Sequence, residues 1–152
     1  MTETINISAH CDCGALSLYM HTKPIVQLVC HCNDCKEFSG LPYTNGAFFH
    51  PDGCRIEGEA QSTVVQGGTG FDKVHHSCAS CQAPMYVTIA ALNGATAIEA
   101  SRLSPFTFEA QAHVWTEEKA DDVVIPAGII QTPDGPPKEI VDVMVASFWA
   151  KK

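Results

Sequence analysis

The chain has 152 residues, 45% of them hydrophobic and 17% charged, and a formal charge of −8. That length gives one domain with a core to bury, and the composition excludes a disordered chain. Nine basic residues, no three of them together, exclude nucleic acid as a default partner, because phosphate backbones need a basic footprint.

In chain order, residues 4–10 (TINISAH) and 15–21 (ALSLYMH) alternate apolar and polar side chains, the period of a half-buried strand, with a turn at Asp12, Cys13 and Gly14. Residues 25–30 read as a third strand, 33–39 as a single helical turn, and 43–50 as a strand ending at the Pro51-Asp52-Gly53 turn. Strands at 62–66 and 71–77 flank GGTG, a hairpin connection, and strands at 85–90 and 96–100 flank the Asn93-Gly94 turn signal. Residues 112–116 make another strand. Many short strands at even spacing predict a mainly β core. After Pro133, Pro136 and Pro137 the pattern changes. Residues 138–150 predict a helix with Ile140, Met144 and Phe148 in one row and Val141, Val145 and Trp149 in the next. This helix is expected to pack on its own domain, with a homodimer contact as the second reading.

The N-terminal MTETINISAHCDCG lacks a charged-then-apolar signal pattern, and no apolar run approaches the roughly 18 residues of a membrane span. The expectation is a soluble, cytoplasmic protein with no membrane partner. In a reducing compartment its eight cysteines read as thiolate ligands rather than disulfides. They fall as Cys11-x-Cys13, Cys30-His-Cys32-x-x-Cys35, Cys54 alone and Cys78-x-x-Cys81. In an extended C-x-C segment both thiolates project from one face, and in C-x-x-C a tight turn brings both within reach of one ion. One pair of each kind can close a four-thiolate structural site. Cys30, Cys32 and Cys35 then supply three ligands and leave a vacancy, the layout of a catalytic zinc.

Spacing does not fix the pairing, since Cys11 and Cys13 could join Cys30 and Cys32 instead. His50, Cys54, His76 and His10 are candidates for a fourth ligand of the trio, which would make both sites structural. Cys54 reads as a small buried hydrophobe. His31 is expected to hydrogen-bond outward, because its neighbours use the metal-facing side.

At these residues the sequence resembles the glutathione-dependent formaldehyde-activating enzyme family, which includes the centromere-protein-V-like proteins. The matching pieces are CDCGAL (11–16), CHCNDCKEFSG (30–40), SCASC (77–81) and ASRLSPFTFEAQAHVWTEEK (100–119). The resemblance implies an Mss4-like fold of coiled antiparallel sheets and two zinc ions per chain. Cys11, Cys13, Cys78 and Cys81 would hold a structural zinc, and Cys30, Cys32 and Cys35 a catalytic-type zinc. It further implies a carbon–sulfur lyase-type activity that joins glutathione and formaldehyde, or a related thiol and electrophile. A non-enzymatic, zinc-stabilised binding module is the alternative. Lys36, Arg55, Lys73 and Arg102 are candidates to meet substrate carboxylates, and His31 and Ser39 to hydrogen-bond a bound group. Residues 1–132 are expected to form the zinc-binding domain and 133–152 a loop and helix packed on it. Three positions depart from the family pattern: Gln82 replaces the usual Gly after the last cysteine, Ser77 replaces an aromatic, and Leu103-Ser104 replaces Leu-Asp.

Overall fold

The computed structural model describes residues 5–66 and 72–149. The expected GGTG connection at 67–70 lies outside them, as do the outermost residues of the first strand and the last helix. The first half contains β1 (Ile7–His10), β2 (Ser17–Met20), β3 (Val26–Cys30), helix α1 (Asn33–Ser39), β4 (Thr44–Phe49), β5 (Cys54–Glu57) and β6 (Ala60–Gln66). It is followed by β7 (Asp72–Cys78), β8 (Pro84–Ile89), β9 (Ala95–Glu99), β10 (Leu103–Ser104), β11 (Ala112–Val114), β12 (Ile130–Gln131) and helix α2 (Lys138–Phe148).

The strands form two sheets, one ordered β10-β1-β2-β5 and the other β12-β11-β3-β4-β9-β8-β7-β6. Pairing is antiparallel as expected, except that β11 runs parallel to both β3 and β12. β1 and β2 alternate as their sequences dictate and bury Ile7, Ala9, Leu18 and Met20. These side chains share a core with Ala47, Phe49, Met85 and Ile98 of the larger sheet, so the main core lies between the sheets. A second core joins Val26, Leu28, Ala112 and Val114 to Ile140, Met144 and Phe148 of α2.

Three differences from the sequence reading have physical causes. The single turn expected at 33–39 is a seven-residue helix, capped by the Cys32 side chain, which accepts from the Cys35 N–H, and closed by Gly40 at φ 73°. The apolar stripe of α2 splits: its first row is buried, whereas Val141, Val145 and Trp149 are exposed. Strands β5, β10 and β12 have no period of their own. Two of them are two residues long, and all are defined by the strand beside them.

Candidate metal centres and the cavity beside one of them

The first cysteine cluster joins the two sheets. Cys11 and Cys13 lie in the turn after β1, Cys78 ends β7, and Cys81 follows in a tight turn. Cys13 Sγ lies 3.6 Å from Cys11 Sγ and 3.7 Å from Cys78 Sγ. Backbone N–H groups point at the sulfurs, from Leu16 to Cys11 at 3.2 Å and from Ser80 and Cys81 to Cys78 at 3.3 and 3.4 Å. The turn closes with Gln82 N–H donating to the Cys78 carbonyl at 2.8 Å, and Gln82 sits at φ 64°. Gln82 therefore adopts the left-handed conformation that a glycine takes without strain. Burial raises the Cys11 thiol, but hydrogen bonds from Leu16 and the neighbouring cysteines outweigh it and bring it down to about 6. Cys13 goes the other way, to about 11: its Ala15 hydrogen bond lowers it, but Cys11, burial and the other thiols raise it more.

The second cluster is built where β3 runs into α1. Cys30 ends the strand, Cys32 caps the helix and Cys35 lies in its first turn, with Cys30 and Cys32 sulfurs 3.3 Å apart. The thiols of Cys30 and Cys35 and the Cys35 N–H all serve Cys32, whose pKa falls to about 2, with Lys73 adding positive charge. Cys30 is raised well above the usual thiol range, first by sharing its proton with Cys32.

The donors fit zinc. A tetrahedral ion with sulfurs at about 2.3 Å spaces them about 3.8 Å apart, and the 3.6 and 3.7 Å separations match that spacing without being bonds. The sulfurs of each cluster lie within 4.8 Å of one another. The N–H groups aimed at sulfur stabilise thiolate charge, which a ligand needs and a disulfide does not. Among the described residues, no fourth His, Cys, Asp or Glu joins the trio at that separation.

None of the four candidate fourth ligands joins the trio. His10 Nδ1 lies 2.8 Å from the Ser17 hydroxyl, and His76 is held between Ser62 and Thr88. His50 Nδ1 accepts from the Asp52 N–H, and half-buried Cys54 donates to the His50 carbonyl. His31 stands outside the trio and hydrogen-bonds to His113, and it is fully buried and stacked on that ring because β11 lies directly beside β3. Lys36 Nζ donates to the Glu118 carbonyl, and Glu118 Oε1 accepts from the Asn33 N–H at 2.8 Å. The turn at 116–118 thus holds α1 in place. Ser39 lines the cavity described below and donates to the Cys35 carbonyl at 2.8 Å. Arg55 pairs with Glu57 and covers Tyr19, and Arg102 binds Asp12 and the His10 carbonyl.

Two residues near the trio escaped the sequence reading. His75 is buried under Phe38, ring centroids 4.3 Å apart, with Nε2 unpartnered, and the charges of Lys73, Asp34 and Cys32 reach it. Strand period would have found it, since His75 shares a face of β7 with Lys73 and His76 does not. The other is Glu118, which has no local signal because its partners are 85 and 82 residues away.

Cys30, Cys32 and Cys35 open into a cavity of 680 Å³. Its walls are the larger sheet, α1 and the C-terminal segment, including Leu28, Phe38, Phe48, Val87, Trp115 and Met144.

Fold and site together define a mainly β protein with two thiolate clusters able to hold metal ions, one of them facing a cavity. A family model described as glutathione-dependent formaldehyde-activating enzyme matches residues 6–118, and the chain belongs to that family. Among solved structures it is similar to a Rhodobacter sphaeroides protein at 17% identity, over 66% of this chain and 90% of that one, with a TM-score of 0.47. No curated protein matches it. Among the described residues, no helix is long and apolar enough to cross a membrane.

Proposed function

We propose that the chain is a zinc-dependent carbon–sulfur lyase-type enzyme of the cytoplasm. It would act on the adduct of a thiol with formaldehyde or a related small electrophile, and glutathione is the thiol that the family's description supplies. The observation that carries this reading is the position of Cys30, Cys32 and Cys35 on the wall of the 680 Å³ cavity, with three sulfurs and no fourth protein donor beside them among the described residues.

In the adding direction the thiol sulfur bonds to the carbonyl carbon, the carbonyl electron pair moves to oxygen, and the proton lost by sulfur ends there. A zinc held by the trio would keep an incoming thiol in its nucleophilic, deprotonated form near neutral pH. The chain's own residues hold and orient. Lys73, whose side chain is 17% exposed, lines the cavity and brings positive charge to a bound anion. Ser39 fixes the carbonyl of Cys35 and so the last turn of the ligand helix. The apolar wall keeps water from the reacting atoms. Cys11, Cys13, Cys78 and Cys81 would close a second, structural zinc site, giving two ions per chain.

The test is metal analysis joined to X-ray absorption at the zinc edge, with and without thiol. Two equivalents of zinc, with the averaged sulfur count rising by about half an atom when one thiol enters one of two sites, support the reading. Two sites already saturated by protein ligands, with no formation of a thiol–formaldehyde adduct, would indicate the non-enzymatic binding module.

A further inference from the structure

The family match ends at residue 118, yet the cavity wall does not. Gly135, Pro136, Val141 and Met144 all line it, so the segment after the matched region forms part of the wall of the cavity that the trio opens into. That segment is anchored by burial of Ile140, Met144 and Phe148 and by Trp115 N–H donating to the Asp134 carbonyl at 2.7 Å. What it adds to the wall is apolar.

The charges around the cavity point the same way. Among the described residues, the two cations that line it are Lys73 and Arg102. Arg102 already holds Asp12 at 3.3 Å and the His10 carbonyl at 3.1 Å. Lys73 has a long contact with Asp34, 3.9 Å, and is the cation placed to meet an anion. Glu99, the acidic lining residue, accepts from the N–H groups of Asn45 and Ser101. One available cation in an apolar chamber suits one anionic sulfur or carboxylate, whereas glutathione brings two carboxylates and an ammonium group to be desolvated.

Resting on the thiol chemistry proposed above, we infer that this cavity takes the apolar body of an aromatic or aliphatic thiol. The preferred thiol partner is then a compact, at most singly charged molecule with its sulfur toward Cys30, Cys32 and Cys35. The 680 Å³ volume lies within the range of small-molecule sites. The specificity comes from residues 135–144, outside the part of the chain that the family shares.

Trp115 lines the cavity, and the chain's second tryptophan, Trp149, is exposed, so a Trp149→Phe background makes fluorescence report on the cavity. The zinc-loaded protein is titrated with benzyl mercaptan, benzyl methyl sulfide and glutathione, and the titrations are repeated with Val141→Glu after checking its thermal midpoint. Benzyl mercaptan is expected to bind about tenfold or more tighter than glutathione, because a buried aromatic ring outweighs a second buried carboxylate. Val141→Glu, which puts a charge on the apolar wall, is expected to weaken it by a similar factor. Glutathione binding as tightly as benzyl mercaptan overturns the inference and leaves the thiol chemistry standing. Equal binding of benzyl mercaptan and its methyl sulfide does the reverse: the apolar ligand stands and the role of the trio falls. An unaffected Val141→Glu variant overturns the assignment of specificity to the C-terminal wall, and no response to any probe overturns both readings.

Discussion

His31 and His113 form a buried pair: Nε2 of His31 lies 2.9 Å from Nδ1 of His113, with the rings stacked at 5.2 Å between centroids. His31 Nδ1 is buried and has no partner. An orphaned lone pair costs less than an orphaned N–H, which assigns the proton to His31 Nε2, donating to His113. Protonating His31 would create the orphaned donor.

Burial, followed by the charge of His113, brings the His31 pKa down to about 4 from 6.5. The unfolded chain therefore binds this proton first as the pH falls, so the native state loses stability from about pH 6.5 down to about pH 4 and no further below that. Denaturation midpoints between pH 7.5 and 4 are expected to fall less steeply in His31→Asn than in the parent protein. Parallel slopes would remove the pair from the account.

The two cysteine clusters are expected to fail differently. Cys78→Ser breaks a four-thiolate set that joins the sheets, and its melting temperature is expected to drop by on the order of 10 °C. Cys35→Ser leaves both cores intact and is expected to keep most of the stability while losing thiol-adduct turnover. Calorimetry alongside an adduct-formation assay separates the two, and matched losses of stability would make both sites structural.

Gln82 adopts φ 64° without a glycine's freedom. Its side chain is exposed, and its N–H bond to Cys78 is a backbone bond that survives substitution. Gln82→Gly is expected to stabilise the protein by about 0.5–1 kcal/mol, since relief of left-handed strain exceeds the added chain entropy. Thermal melts of the zinc-loaded protein would read a rise of a few degrees, and a fall would show the strain to be absent.

Gly58 presents the opposite case. At φ 105°, an added Cβ would overlap the carbonyl oxygen of Ala15 in the segment that carries Cys11 and Cys13. Gly58→Ala is expected to cost about 2 kcal/mol or more, because both the backbone angle and the contact must give. Urea unfolding would show it, and a midpoint within error of the parent would mean that the loop shifts freely.

The sequence made legible whatever is encoded within a few residues. Alternation marked β1 and β2, and Asn93-Gly94 marked the turn where Asn93 is left-handed. The cysteine spacings separated a four-sulfur cluster from a trio once the family resemblance had resolved the pairing. What escaped was set by distant chain. His31 is buried because β11 lies beside β3, and Lys36 is held by Glu118, 82 residues on. Val141 and Trp149 continue the apolar stripe of α2, but the core is wide enough for only one of its rows.

Cys13 and Cys78 are 65 positions apart, so on the ribosome the first pair of this site is made long before the second. The N-terminal hairpin emerges with two reactive thiols and nothing to close on. Its sheet is complete only when β5 and then β10 have also been synthesised. A metal held by all four sulfurs would therefore be captured late in biogenesis, once the chain through residue 81 has been made. Until then Cys11 and Cys13 lack the second pair, and a chain completed without metal would carry all four sulfurs unbridged.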